Sequence, residues 1–471
     1  MKVKGWERLL PLFVAALFGG CAVGPKYQRP PVDTPHAYRF DSTLGTNSFG
    51  DLPWWEVFRD PVLQDLIRTA LTNNYDIKRA AARVEQARQQ IFVARAPLFP
   101  QIGYGGDIGR GKHAVVNLMA AGSSDTVSSA QVNLNAMWEI DFWGRVRRLT
   151  EAARAQYLAT DEGRRGVTIT LVSDVATLYL NLLDLDQELA IQRAATNAYA
   201  GSYRIFNDRR INGVASRLET DRAAAALANA AAEIPRLETQ IATAENQINL
   251  LLGRNPGPVP RGSLTNLAPF PAEIPAGLPS ALLQRRPDIL QAEQTLVAAN
   301  AYIGASFANF FPQIGLTTFL GRVSPELSAF SAGSANAWNV GATLAGPLFQ
   351  GGQLRAQYRA SKAAFDEAKA SYEQTVLNAL GEVSNALITR QKYAESAVFN
   401  AEAVAALTSS VELATARYLQ GKSSYYEVLQ AQQELYPTQR SLVQVQVSER
   451  LSVVSLYRAL GGGWEPPVVQ R

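Results

Sequence analysis

Two pairs of carboxylates have the types and spacing that could do chemistry: Asp184 with Asp186, and Glu139 with Asp141. Such a pair could divide general-acid and general-base roles between its members. On a helix, residues two apart do not face each other, so Asp184 and Asp186 cannot cooperate in this way. On a strand, Glu139 and Asp141 do share a face, but the lining of a wet interior is the commoner reason for that pattern. Nothing else points to an enzyme. The chain holds two histidines, His36 and His113, one cysteine, Cys21, and three methionines. That supply leaves no histidine-based triad, no cysteine metal cage and little for a His/Met metal site. No phosphate-binding glycine loop occurs either. The expectation is no catalytic residue, no metal and no cofactor, and selective copper or silver export is not indicated.

Composition agrees with a folded protein. Of 471 residues, 47% are hydrophobic and 18% charged, and mean hydropathy is −0.08. This is neither a disordered chain nor a polytopic helical membrane protein. A net charge of +4 is too balanced for a protein whose main partner is nucleic acid.

The N-terminus reads as an export signal. Lys2, Lys4 and Arg8 precede the apolar run Leu9 to Phe18, which Gly19-Gly20-Cys21 follows. A charged start, a short apolar core and small residues at the cut describe a secretory signal peptide over residues 1–20. The core is too short to span a bilayer, which takes roughly 20 apolar residues. Cys21 sits where a bacterial lipobox places its acylated cysteine, with Phe18 where that pattern usually has Leu. Ala22, rather than Asp, follows Cys21, which resembles the release signal of Gram-negative lipoproteins for the outer membrane. Residues 21–62 are rich in proline without a helical or alternating period, and read as an extended arm tying lipid to body.

The body is one unit written twice. Phe99-Pro100-Gln101-Ile102-Gly103 recurs as Phe311-Pro312-Gln313-Ile314-Gly315, an offset of 212. Gly144 and Arg147 match Gly352 and Arg355; Gly213, Ser216 and Glu219 match Gly421, Ser424 and Glu427; Leu252-Gly253 matches Leu460-Gly461, all at an offset of 208. The repeats span 63–260 and 278–462, with a linker at 261–277 and a tail at 463–471. Each has the order helix, two strands, two long helices. Leu171, Val175, Leu178, Leu182, Leu185 and Leu189 step by four and three, a heptad seam. Val172, Tyr179 and Leu183 form a second apolar flank, and Val376, Leu380, Val383 and Leu387 repeat the seam in the second copy. From about Arg145 to Asn207 such a helix would run roughly 95 Å. Two apolar flanks suit a ring of helices better than an isolated pair.

Strands are expected at about 99–111, 129–141, 311–322 and 337–348. Val132, Leu134, Ala136, Trp138 and Ile140 alternate with Gln131, Asn133, Asn135, Met137 and Glu139. Ile102, Tyr104 and Ile108 alternate with Gln101, Gly103 and Asp107, and the second copy behaves alike. One apolar face and one polar or glycine face over about ten residues matches strands with lipid outside and water inside, and a half-buried soluble sheet shows the same period. Four strands cannot close a barrel, and open edges are not tolerated in hydrocarbon. Two chains would give eight strands with a filled interior; three would give twelve, wide enough for a channel. A trimer follows if the object is a conduit.

These residues resemble a family. Gly24-Pro25-Lys26-Tyr27, Trp54-Trp55 with Phe58 and Asp60-Pro61, Trp138-Glu139-Ile140-Asp141-Phe142-Trp143-Gly144-Arg145, and above all Leu278-Pro279-Ser280-Ala281-Leu282-Leu283-Gln284-Arg285-Arg286-Pro287-Asp288-Ile289 are similar to the TolC-like outer membrane factors. The closer likeness is to their lipoprotein branch, typified by OprM. The resemblance implies an α+β membrane protein, a homotrimer with a 12-stranded β-barrel in the outer membrane and a long α-helical barrel in the periplasm. It implies passive conduction of drugs or other small molecules, delivered by an inner-membrane RND transporter through a periplasmic membrane-fusion adaptor. The alternative is the outer-membrane channel of a type I protein secretion system. In the family the helix-hairpin tips face the adaptor, which makes Gly213, Val214, Ser216, Gly421, Lys422 and Ser424 contact residues. The family carries a periplasmic gate of carboxylates, here Glu219 and Glu427, with Asp221 and Arg222 nearby. Tyr418 matches a tyrosine that bonds the first repeat's carboxylate in the closed state. The family's arginine partner is replaced by Ser423, and Gln430 stands in for a second carboxylate. The plainer reading of both glutamates is electrostatic support of helix N-termini.

Overall fold

A computed structural model describes residues 22–40, 48–112, 126–267, 270, 274–324 and 330–463. Cys21, the signal segment 1–20, His113 and most of the tail lie outside the described residues. In chain order the main elements are α1 (Pro61–Asn73), α2 (Tyr75–Arg95), β1 (Gln101–Lys112), β2 (Thr126–Ile140), α3 (Arg145–Ile211) and α4 (Arg217–Leu251). There follow α5 (Pro287–Ala308), β3 (Gln313–Ser324), β4 (Asn336–Ala345), α6 (Gln353–Leu419) and α7 (Tyr425–Ala459). Helices α3 and α6 are 67 residues each, and α4 and α7 are 35 each. All four pairs of boundaries keep the offset of 208 seen in the sequence. The duplication therefore extends to where helices start and stop. Strand β4 ends at Ala345, three residues before the expected 348, and α3 runs four residues past the expected Asn207.

The chain forms two compact units that cut across the repeats, each holding parts of both. The first contains residues up to Pro31, Arg83–Asp161 and Gln291–Glu373. Its centre is an antiparallel sheet of order β1-β2-β3-β4, in which β1 and β4 are the edges. Pairing fixes Gln101 opposite Met137, Leu134 opposite Leu320, and Gln313 opposite Ala345. Asp141 starts α3 by accepting from the amides of Val146 (3.0 Å) and Arg147 (2.8 Å). Ala152 and Ala155 of α3 pack on Ala298 and Ala301 of α5, small residues that let two helices approach closely.

The arm is sewn onto this unit. The Val23 amide donates to the Trp143 carbonyl at 3.1 Å, and Arg148 donates to the carbonyls of Val23 and Gly24. Tyr27 donates to Glu293, which also pairs with Arg29 at 2.7 Å. Gly24 has φ +102° and lies so close to Gly304 that a Cβ would fall 2.4 Å from its Cα. Only glycine fits there.

The second unit contains Val32–Ala82, Glu162–Leu290 and Gln374–Arg471. The heptad seam is its core: Leu171, Val175, Leu182, Leu189, Val376, Val383 and Leu387 are buried, as are Val172, Tyr179 and Leu183 of the second flank. Leu178, Leu185 and Leu380 are half-buried. Helix α3 is long and apolar enough to cross a bilayer, yet more than half of its most apolar stretch is already buried. Its hydrophobicity serves packing. Asp60 caps α1 through the Val62 amide (2.8 Å) and accepts the Tyr179 hydroxyl (2.6 Å), joining α1 to α3. The linker is held by Arg261, which pairs with both Asp186 and Glu245. Pro235 and Pro437 lie inside α4 and α7.

Candidate channel surfaces

The sheet separates two kinds of surface. On one face Ile102 is 78% exposed, Tyr104 89%, Ile108 74% and Trp338 76%, with Val132, Leu134, Leu320, Val340 and Leu344 beside them. So many exposed apolar side chains on one face form a patch far larger than scattered surface leucines would. The opposite face is mostly polar or glycine, with Met137, Phe319 and Val323 as its large apolar members. Gly103 and Gly105 of β1 lie opposite Asn135 and Asn133, whose amide oxygens would meet a Cβ at 3.2 and 3.3 Å. Gly315 and Gly341 lie against Thr343 and Thr317 in the same manner. A missing side chain on one strand gives room to a hydrogen-bonding side chain on the next. Around these glycines the wall is wettable and has little bulk.

The carboxylate pairs separate into different tasks. Glu139 forms a two-pronged pair with Arg145 at 2.6 and 3.0 Å, which raises the guanidinium's pKa, chiefly through the hydrogen bonds. Asp141 is consumed by capping α3. Asp186 is taken by Arg261. Asp184 is the exception. Among the described residues its Oδ1 is buried without a hydrogen-bond partner. Burial first, and Glu188 second, push its pKa up to about 7.

Within the second unit the two helix hairpins reverse direction at Gly213 and Gly421. Gly213 (φ +73°) and Gly421 (φ +72°) take left-handed conformations with open space around each. The Val214 amide donates to the Arg209 carbonyl and the Lys422 amide to the Arg417 carbonyl, both near 2.9 Å, the bonding of a glycine C-cap. Glycine is required here by backbone angle, not by crowding. Val214 is exposed, as are Ser216, Lys422 and Ser424. Ser216 caps α4 in a reciprocal box: its hydroxyl accepts from the Glu219 amide, and Glu219 accepts from the Ser216 amide at 2.8 Å. Ser424 has the same backbone angles as Ser216 but makes no side-chain cap bond. Glu427 is exposed. Asp221 pairs with Arg217 at 3.4 Å, and Arg222 points to the surface.

Tyr418 departs from what the resemblance implies. Its hydroxyl accepts a hydrogen bond from Arg209, whose guanidinium also sits over the ring at 5.4 Å from the centroid. The first repeat's Glu219 is occupied by Ser216 instead. A cation, Arg209, thus reaches Tyr418 from the other hairpin, four residues before the tip glycine. Sequence reading missed Arg209. The available signal was its place in the last turn of α3, where a cation complements the helix dipole. Beneath this contact Phe206 and Tyr425 meet edge to face at 4.3 Å, and Tyr418 and Tyr425 at 5.3 Å. Aromatic rings from both hairpins form one buried cluster with Ala223, Val428 and Leu429.

With this geometry established, known proteins give context. One family model, outer membrane efflux protein, matches residues 66–254 and 278–462. Cation efflux system protein CusC of Escherichia coli O6:H1 is 34% identical over 97% of this chain and 99% of its own. Toluene efflux pump outer membrane protein TtgC of Pseudomonas putida is 36% identical over 97% of this chain and 96% of its own. The solved structure of the outer-membrane channel OprN has a TM-score of 0.85 at 31% identity, covering 95% of this chain and all of that one. Relatives named for cations and for an organic solvent stand at similar identity, so likeness alone does not choose between those cargoes.

Proposed function

The chain belongs to the outer membrane efflux protein family, an outer-membrane channel and not an enzyme, and we propose that it is the exit duct of a tripartite pump. Three copies would pool their sheets into a 12-stranded barrel and their long helices into a periplasmic conduit. An inner-membrane RND transporter and a periplasmic membrane-fusion adaptor would deliver drugs or other small organic molecules, which pass without energy input. Two histidines and three methionines speak against a dedicated metal cargo. One observation carries this reading. A four-stranded sheet exposes apolar side chains on one face, pairs glycines with amides and hydroxyls on the other, and has β1 and β4 as unpaired edges within the chain. Such a sheet is stable in a bilayer only when further copies close it.

Cys21 would carry lipid, helping assembly beside the strands' own anchoring. The exposed tips, Gly213, Val214, Ser216, Gly421, Lys422 and Ser424, would meet the adaptor. Glu219 and Glu427 would give six carboxylates around the trimer axis, resisting simultaneous ionisation and favouring cations. The Arg209–Tyr418 contact would hold the two hairpins of one chain together in the closed state. Purified protein reconstituted in planar bilayers should show discrete, passive conductance steps, and gene deletion should sensitise cells to drugs. Absence of channels would refute the duct, and loss of protein export with unchanged drug sensitivity would favour type I secretion.

A further inference from the structure

Arg322 stands where the lipid side of a membrane sheet has least use for a charge. It lies directly opposite Val132 on β2 and Asn336 on β4. Residues directly opposite share a face, so Arg322 belongs to the apolar face of the sheet. From Ile314 to Arg322 the strand rises about 26 Å at about 3.3 Å per residue, which a tilt of about 40° reduces to about 20 Å. That height is still inside an apolar band about 25 Å tall. The acidic residues of the strands, Asp107 and Glu139, lie on the other face, and Glu139 is taken by Arg145. Among the described residues the hydrogen bond found at Arg322 runs from Nη1 to the Phe330 carbonyl at 3.0 Å, which uses one of the guanidinium's donors. A cation facing lipid at that depth destabilises a barrel unless something offsets it.

The surface beside Arg322 is hollow. Tyr104, Leu134, Leu320 and Trp338 form one row across all four strands. With Val132 and Phe330 they line a groove of about 660 Å³ that Arg322 closes at one end. Leu134 and Leu320 make its floor, and the strongly exposed rings of Tyr104 and Trp338 stand on either side. Gly321 also lines it; a Cβ there would fall 2.2 Å from the Val132 carbonyl oxygen. Gly106, in the row of Arg322, carries no side chain and leaves that row open on the β1 side. The β1–β2 and β3–β4 connections leave the sheet at the Arg322 end, and α3 and α6 follow from the other end.

Resting on the outer-membrane reading above, we propose that this groove binds a phosphate-bearing membrane lipid. One acyl chain lies over Leu134 and Leu320 between the two rings, and the phosphate meets the Arg322 guanidinium. The chemistry of each part agrees. An apolar floor alone would accept any acyl chain, but a guanidinium fork matches the oxygens of a phosphate in two-pronged fashion. Asn336, exposed and directly opposite Arg322, offers an amide donor to the same headgroup. Tyr and Trp suit the boundary between acyl chains and headgroups, being apolar in the ring and polar at one tip. The anion offsets the charge that lipid alone would penalise, so the cation and the groove explain each other.

Quenching by brominated lipid tests this, with Trp338 as the reporter. Full-length protein is reconstituted in phosphatidylcholine vesicles holding a small share of lipid brominated on its acyl chains, either phosphatidic acid or phosphatidylcholine. Trp338 is one of seven tryptophans, so its signal is the difference between wild type and Trp338→Phe. Its quenching should be about fivefold greater with brominated phosphatidic acid, the order expected for one basic side chain against anionic lipid. Arg322→Met, which keeps an apolar stem, should bring the two lipids to parity, and Arg110→Met, on the same face outside the groove, should leave the preference intact. If Arg322→Met does not insert, Asn336→Asp, which sets a carboxylate opposite Arg322 and against the phosphate, carries the same expectation. Parity in the wild type overturns the site, and so does a preference that survives these changes. Loss of the preference on adding inorganic phosphate at constant ionic strength would make this a site for a free anion and overturn the lipid. Trp338 left unquenched by either brominated lipid overturns the membrane reading itself.

Discussion

Asp184→Asn should stabilise the protein at neutral and alkaline pH and leave it unchanged in acid. The carboxyl lies in α3 with one oxygen buried and unpartnered, and Glu188 one turn away is buried and accepts from the Gln444 amide at 2.5 Å. Arg236 and Arg440 line the same cleft as Glu188, so charge balance is supplied there and not at Asp184. The folded-state pKa of about 7 stands against an ordinary 3.8. Below about pH 4 both folded and unfolded chains hold the proton and the site contributes no difference. Between those values the unfolded chain releases the proton while the folded chain keeps it, so stability falls as pH rises. Above pH 7 the full penalty applies. Three pKa units correspond to about 4 kcal/mol, and partial solvent access reduces this to about 1–2 kcal/mol. Asparagine keeps the shape and removes the charge. Thermal unfolding of detergent-solubilised protein, followed by far-ultraviolet circular dichroism, should show the variant melting about 1–2 °C higher at pH 8 and at the wild-type temperature at pH 4. An equal shift at both pH values, or a lower melting temperature at pH 8, would refute the argument from burial.

Four further outcomes are expected. Arg209→Ala should raise the open fraction of single channels at least as much as Tyr418→Phe does, because both remove the hydrogen bond and only the first also removes the cation over the ring; an effect of Tyr418→Phe without one of Arg209→Ala would show that the contact is not the restraint. Glu219→Gln combined with Glu427→Gln should lower cation preference in reversal-potential measurements, while Glu219→Gln alone also weakens the Ser216 box by about 1 kcal/mol. Gly421→Trp should abolish efflux with trimer abundance unchanged, since the tip has space for the ring but not for an L-residue at φ +72°; wild-type drug resistance would count against adaptor contact. Cys21→Ala should lose incorporation of radiolabelled palmitate, and equal labelling would remove the lipid assignment.

Periodicity carried the first half of this architecture. Alternation along Ile102–Ile108 and Val132–Ile140 set which side of each strand is apolar, because a strand's two faces are a local consequence of backbone pleating. The heptad steps from Leu171 to Leu189 likewise marked the buried stripe of α3. The tip glycines were legible for the same reason, as a positive φ is a property of one residue and its turn.

What neither period nor motif could supply was which partner each group would meet. Asp184 and Asp186 are two residues apart and alike in type, yet Arg261 neutralises one, and the packing of α3 buries the other. Tyr418 looked committed to a carboxylate until the fold brought Arg209 to it from a helix 209 residues away. Trp143 and Pro312 meet because the sheet closes a register over 169 residues. The sequence by itself determined faces, turns, the duplication and hence the open edges, all written in local spacing. Only the tertiary structure decided the pairings across those spacings, because strand register, burial and ion pairing depend on residues that are distant in the chain and adjacent only once it has folded.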